Sequence, residues 1–459
     1  MRTGHTSVSS RGLIAGFLLI VAILFGGGGS PAPVAELVVQ VAALIAIVAW
    51  AWLGNRDRTS PPSATDWPLL VLAALFVAIP LLQLVPLPPA IWHQLPGRET
   101  ERQALALVGA ENAWMPLSVS PAKTLASLLS LVPPMAMLYF TTRLTVRERS
   151  GLLGLLAALA LLSVVVGVIQ LASGHGNWLR FYSATNYGVA TGFQASRNAQ
   201  ADLLIVSSMA FAAWAVTNRR IVKSRQAWIA AIIVVFVLWL AVVVTGSRSG
   251  VVMIVIALAT CLAIAVRQMR LPGRRIAIIA VGALSLLGVT GVVLHDNVRV
   301  ERTLARFDDL KDVRPEIWAD TWYAIGLHWP AGTGMGTFRP VFDSAERLEF
   351  VRPSFANRAH NDYLEYLLET GIAGALLFIV AVIFAIYRVS TAVRRDDDRN
   401  VRVQALFVVG SLLVFVLHSM VDYPMRSMSL GVVAGLLCGL LSRTVLGSDA
   451  RAIRSARGV

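Results

Sequence analysis

The residues best suited to chemistry in this 459-residue chain sit in short polar segments between long apolar runs. The densest is NRAHNDYLEYLLETGIAG, residues 357–374. Read as a helix, it places Asn361, Glu365 and Glu369 at four-residue spacing on one face, with His360 at the N-terminal end. A charged face on an otherwise apolar helix is costly against lipid, so these side chains should look into protein or a wet cavity. The plainer alternative is a helix entry carrying exposed pairs such as Arg358–Asp362. In TGSRSG, residues 245–250, Arg248 has small residues on both sides. Small neighbours let an anion approach backbone and guanidinium together, and the planar fork suits phosphate oxygens. A tight turn whose Arg snorkels to lipid headgroups is the alternative there.

Three further segments carry weaker signals. RPEIWADTWYAIGLHWPAGTGMGTF, residues 314–338, opens on Arg314, Glu316 and Trp318 and closes on Pro330 and glycines 332, 334 and 336. No strand precedes this glycine run, so a turn beside a site suits it better than a dinucleotide loop. HSMVDYPMRS repeats His418, Asp422 and Arg426 at four-residue spacing, and Pro424 argues against an unbroken helix through it. GFQASRNAQAD, residues 192–202, puts Arg197 and Asn198 at the entry to an apolar run.

The elements that must position these groups are membrane helices. The chain is 56% apolar and 14% charged, which excludes a soluble class. Runs of roughly 17 to 25 residues predict spans near 12–29, 34–53, 67–86, 122–142, 151–172, 199–217, 227–245, 250–266, 276–294, 364–387, 402–418 and 428–446. The expected fold is therefore an all-α polytopic membrane protein of about twelve transmembrane helices, with one long loop containing short helices. Residues 1–294 would form spans one to nine, 295–363 the loop, and 364–459 the last three spans and a tail. The first run resembles the apolar part of a signal peptide but is long enough to span and lacks an A-x-A site, so it reads as a helix. Cys261 and Cys438 lie inside apolar runs and read as packing residues. The net charge of +14 is scattered between spans rather than gathered on one face, which argues against nucleic acid.

Lys and Arg recur in alternate short loops, at Arg56 and Arg58, 143–149, 219–225, 267–275, 388–402 and the tail from Arg443. By the excess of positive charge on the cytoplasmic side, both termini are expected inside. GSRSG, the 173–198 loop, the long 295–363 segment and HSMVDYPMRS then share the outer face. Within RRDDDRN, residues 394–400, acids flanked by Arg read as a solvated, self-paired turn. Several arginines, two histidines and a few carboxylates at one membrane face suit a lipid-linked anion. Transfer from a diphosphate needs its developing charge neutralised by a metal or by Arg and Lys. Arginines are plentiful, whereas Asp308, Asp309 and Asp312 alternate with Arg306 and Lys311 and read as a solvated loop; no metal is expected.

At these residues the chain resembles the O-antigen ligase family, which includes O-antigen ligases, polysaccharide polymerases and some protein O-oligosaccharyltransferases. The resemblance runs through TGSRSG, Arg314 with Trp318 leading to P-x-G-x-G-x-G-x-F, HNDYLEYLLETGIAG and HSMVDYP, in that order. It implies an all-helical bundle at the bacterial inner membrane, with a long periplasmic loop before the histidine motif. It also implies a glycan donor on undecaprenyl diphosphate and metal-independent transfer with inversion at the sugar carbon. Arg248 and Arg314 match the family's essential arginines, His360 its essential histidine and Asn361 the residue beside it. Arg197 and Asn198 stand where relatives often show N-R-N-H, but here Ser196 and Ala199 flank them. A neutral imidazole near pH 7 is able to take a proton from a sugar hydroxyl, with Glu365 as the competing base. Glu365, His418, Asp422 and Arg426 complete the expected substrate-binding set.

The ligase reading takes lipid A-core as acceptor. The polymerase reading takes a second lipid-linked glycan, and protein glycosylation is a further variant. A transporter or flippase, with polar residues near mid-membrane, is the reading from a different class.

Overall fold

The computed structural model describes residues 9–29, 32–54, 65–173, 179–269, 313–351, 356–395 and 398–442. Among them, eight helices are long and apolar enough to cross a bilayer: Pro33–Leu53, Pro121–Arg143, Val146–Ala172, Arg197–Thr217, Arg225–Val244, Arg248–Arg267, Asp362–Arg394 and Arg399–His418. Three shorter apolar helices are Ser10–Phe25, Trp67–Gln83 and Met428–Leu440. All but one of the twelve expected runs coincide with one of these helices. The exception, 276–294, lies outside the described residues, as do Asp308, Asp309 and Asp312, the tail from Arg443 and the middle of RRDDDRN. The sole sheet among the described residues is one antiparallel pair, β1 (Pro86–Leu87) with β2 (Met115–Pro116).

We label the principal helices α1 (Ser10–Phe25), α2 (Pro33–Ala49), α3 (Trp67–Gln83), α4 (Pro121–Ser130), α5 (Val132–Arg143), α6 (Val146–Ala172), α7 (Arg197–Thr217), α8 (Arg225–Val244) and α9 (Arg248–Met269). After the undescribed stretch come α10 (Arg314–His328), α11 (Phe338–Ala345), α12 (Asp362–Arg395), α13 (Arg399–His418) and α14 (Met428–Leu440). Helix α7 is the axis of the bundle, packing against α6, α8, α9 and α13. Of its apolar window 78% is buried, against 11% for the window of α12, so α12 presents its apolar side chains outward. Helix α1 packs on α2, α6 and α14, and Leu18, Leu19 and Ile23 belong to the main core. Cys261 of α9 packs against the same core.

Long α12 is broken where the sequence reads as one continuous span. Gly371 adopts φ 60, ψ −151, which ends the regular ladder after Thr370. A break in hydrocarbon must have its freed polar groups satisfied by protein. The glycine turn supplies them: Thr333 and Gly334 N–H donate to the carbonyls of Leu368 and Glu369, and Ile372 N–H donates to Pro330 O. Gln83 joins the two segments, its Nε2 donating to Glu369 O and its Oε1 accepting from Met335 N–H. The G-x-G-x-G run is thus a wedge that shapes the helix beside the candidate site. Helices α10 and α11 pack on α12 around Ala324, Phe338, Phe342 and Leu368, a second small core.

At the end of the bundle that holds the carboxyl ends of α5 and α14, Arg149 is buried. It donates to the carbonyls of Leu144 and Thr142 and to Ser442 Oγ. At the other end, Ser429 N–H donates to Gly26 O and Ala195 N–H to Gly27 O, which ties the loops after α1, before α7 and before α14 together.

Candidate functional site

GSRSG builds one wall of the site, residue by residue. Gly246 takes φ 69, a left-handed conformation that costs glycine little. Ser247 Oγ accepts from Gly250 N–H at 3.1 Å and so caps α9. A Cβ on Gly250 would lie 2.6 Å from Ala201 Cβ, so only glycine lets α9 meet α7 this closely. Arg248 starts the helix with a serine on each side. Ser247 Oγ–H donates to Asn198 Oδ1 at 2.8 Å, and Ser249 Oγ lies 2.7 Å from His418 Nε2.

The opposite wall is the turn before α12. His360 has φ 50, a strained value for a side-chain-bearing residue, with a cost of about 1–3 kcal/mol. Its neighbours over-determine that geometry. Ala359 O accepts from Trp318 Nε1 at 3.0 Å and Ala359 N–H donates to Glu365 Oε2 at 3.1 Å. Asp362 N–H donates to Ser419 O. Asn361 Oδ1 caps α12, accepting from Tyr363 and Leu364 N–H at 3.0 and 3.1 Å. The side chain of Asn361 therefore holds the helix start.

His360 Nδ1 lies 3.1 Å from Asp422 Oδ1. With the carboxylate as acceptor, Nδ1 carries the proton and Nε2 keeps its lone pair. Among the described residues no protein group hydrogen-bonds to Nε2, and the side chain is 28% exposed. Tyr423 stands edge-on to the ring with centroids 5.0 Å apart. Asp422 also accepts from Asn198 Nδ2 at 2.5 Å. Burial pushes the Asp422 carboxyl up, but the His360 hydrogen bond, the charges of His418 and His360, and Asn198 outweigh it and hold it below the usual carboxylate range.

The charged face of α12 is buried at Asp362, Glu365 and Glu369, and the alternative of an exposed Arg358–Asp362 pair does not form. Arg358 pairs with Glu365 at 2.9 Å, and Asp362 is buried, accepting from Ser419 Oγ and Met425 N–H. Arg426 lies 2.9 Å from Glu369 Oε2, 3.3 Å from Glu365 Oε1 and 3.7 Å from Asp362 Oδ1. Burial works against the Arg426 charge, yet these three carboxylates outweigh it and hold the guanidinium protonated above its ordinary value. Glu369 also accepts from Phe338 N–H, at 3.3 Å. Pro424–Arg426 is a short 3-10 turn, as Pro424 requires.

His360, Asn198, Asp422, His418 and the turn carrying Arg248 thus meet at one end of the bundle. Arg314 opens α10, and its positive charge reaches the His418 imidazole. Arg197 opens α7, where its N–H donates to Asn186 Oδ1 at 2.9 Å. Glu365, Glu369, Asp362 and Arg426 form a buried ionic cluster behind the His360 turn. Among the described residues, no group of three or more His, Cys, Asp or Glu is arranged to hold a metal ion.

Sequence reasoning missed Asp202, Ser247 and Ser249. Asp202 Oδ1 and Oδ2 lie 2.6 and 2.7 Å from His418 Nδ1, and both residues are buried. A lone carboxylate in AQADLLIVSS was the available signal, because an ionisable group inside a span is a functional candidate.

No curated protein matches the chain. Residues 232–379, which contain Arg248, Arg314 and His360, match the family model described as O-Antigen ligase, so this third of the chain is similar to that family, and the eight long apolar helices among the described residues suit a multi-pass membrane protein.

Proposed function

We propose that the protein is an O-antigen ligase that moves a glycan from undecaprenyl diphosphate to a hydroxyl of lipid A-core at the periplasmic face of the inner membrane. The observation that carries this reading is the His360–Asp422 pair across from the turn that presents Arg248. Asp422 fixes the imidazole tautomer, and His360 Nε2 takes the proton of the acceptor hydroxyl as its oxygen attacks the anomeric carbon. The bond from that carbon to the phosphate oxygen breaks, its electron pair leaves with undecaprenyl diphosphate, and the carbon inverts. Arg248 and Arg314 stabilise the departing charge, an effect worth about 3–4 kcal/mol per preorganised donor. Glu365 has both oxygens engaged by Arg358, Arg426 and Ala359 N–H, so its part is to hold the His360 turn.

The apolar helices and the scattered basic loops support an inner-membrane location with both termini cytoplasmic. The decisive experiment gives purified protein a lipid-linked glycan with either lipid A-core or a second lipid-linked unit. Glycan on lipid A-core is the expected product. Joined repeat units instead would make the enzyme a polymerase, and no transfer to either acceptor would sink the reading.

A further inference from the structure

Among the described residues two histidine–carboxylate pairs lie at this end of the bundle, and the proposed proton transfer takes place at one of them. Asp202 is fully buried in α7, whose apolar window is the most buried of the eight candidate spans, and both its oxygens face His418 Nδ1. Burying a carboxylate costs several kcal/mol, and an apolar side chain of similar volume fills such a space at least as stably. Packing alone therefore gives no account of this pair. Neither residue lies in the 232–379 segment that matches the family model.

The contacts of the pair lead to the turn that carries Arg248. His418 Nε2 meets Ser249 Oγ, Ser249 Oγ lies 3.3 Å from Ser247 Oγ, and Ser247 holds Asn198, which holds Asp422 and so His360. This chain does not conduct protons between the two histidines. Asn198 sits in its middle, and a carboxamide that donates through Nδ2 and accepts through Oδ1 does not pass a proton on. What the chain transmits is position.

We infer that Asp202 and His418 are positioning residues for donor binding: the carboxylate fixes the imidazole, the imidazole fixes Ser249, and Ser249 aims Arg248 at the diphosphate. The inference rests on Arg248 as a diphosphate ligand. Ser247 grips the turn from the Asn198 side and Ser249 from the His418 side, so Arg248 is held by both neighbours. Gly250 seats the same turn against Ala201, the residue before Asp202.

The test measures binding of undecaprenyl diphosphate to purified full-length protein in lipid nanodiscs. Asp202→Ala and His418→Ala should each weaken binding about tenfold or more, the usual consequence of losing a buried hydrogen-bond partner. Asp202→Asn, which keeps an acceptor for Nδ1–H, should recover most of it. In an Arg248→Lys background, Asp202→Ala should cost no more than about twofold further, because the two changes act through one contact. Wild-type binding by Asp202→Ala, or a loss that adds in full to that of Arg248→Lys, overturns the positioning pair alone. Wild-type binding by Arg248→Ala overturns the diphosphate reading of Arg248 and this inference with it. Should Asp202→Ala fail to fold, Ser249→Ala removes a single oxygen and carries the same expected loss and the same refutation.

Discussion

His360–Asp422 and His418–Asp202 are built from the same two side chains and differ in surroundings. The first has a histidine 28% exposed, a 3.1 Å contact and Nε2 without a protein partner among the described residues. The second has a histidine 1% exposed, contacts of 2.6 and 2.7 Å, and Nε2 occupied by Ser249. A base must reach its substrate, so the first pair suits proton transfer. A group with every polar atom engaged suits holding a neighbour in place. Burial and the state of one nitrogen, rather than residue type, separate the two roles.

The largest expected effect breaks the exposed pair. His360→Ala should lower glycan transfer by roughly 10^2- to 10^4-fold, the range of general-base catalysis, with membrane levels unchanged. Arg248→Ala and Arg314→Ala should act in the same direction. Wild-type transfer rates in all three variants, measured with lipid-linked glycan and lipid A-core, would remove the proposed site.

The cluster behind His360 is the next place to press. Arg426→Met leaves Glu365, Glu369 and Asp362 without their shared cation, and breaking a buried pair costs about 3–5 kcal/mol. The melting temperature in detergent should fall markedly, and a variant as stable as wild type contradicts the ionic cluster.

A smaller change sharpens the comparison without removing a ring. Asp422→Asn keeps the shape but loses the charge that fixes the His360 tautomer, and kcat should fall roughly 10^2-fold. Equal kcat in the two proteins would mean that Asp422 does not orient the base.

The smallest effect is a pH dependence. Asp422 is held below the usual carboxylate range, so its stabilising contribution is present in full above the unfolded value of about 3.9. That contribution is lost only as pH falls through the lower folded value. The stability gap between wild type and Asp422→Asn should thus shrink as pH falls below about 4. A gap that stays constant as pH falls from about 4 to 2 would refute the depressed carboxyl.

The amino-acid sequence by itself determined the helices, because runs of apolar residues long enough to cross hydrocarbon have few other ways to satisfy their backbones. It also marked Arg248, Arg314, His360 and the HSMVDYPMRS hairpin, whose polar types stand out against apolar neighbours. The break at Gly371 was hidden, since its compensating partners, the Thr333 and Gly334 N–H groups, the Pro330 carbonyl and the Gln83 carboxamide, come from other segments. Arg358 and Asp362 stand at helical spacing, and only the tertiary structure gives them different partners. The pairing of His418 with Asp202 spans 216 residues and leaves no periodicity to read. Periodicity reports which face of a helix is apolar, whereas partners across a bundle are fixed by how helices cross, and α7 meeting α9 and α13 decided them here.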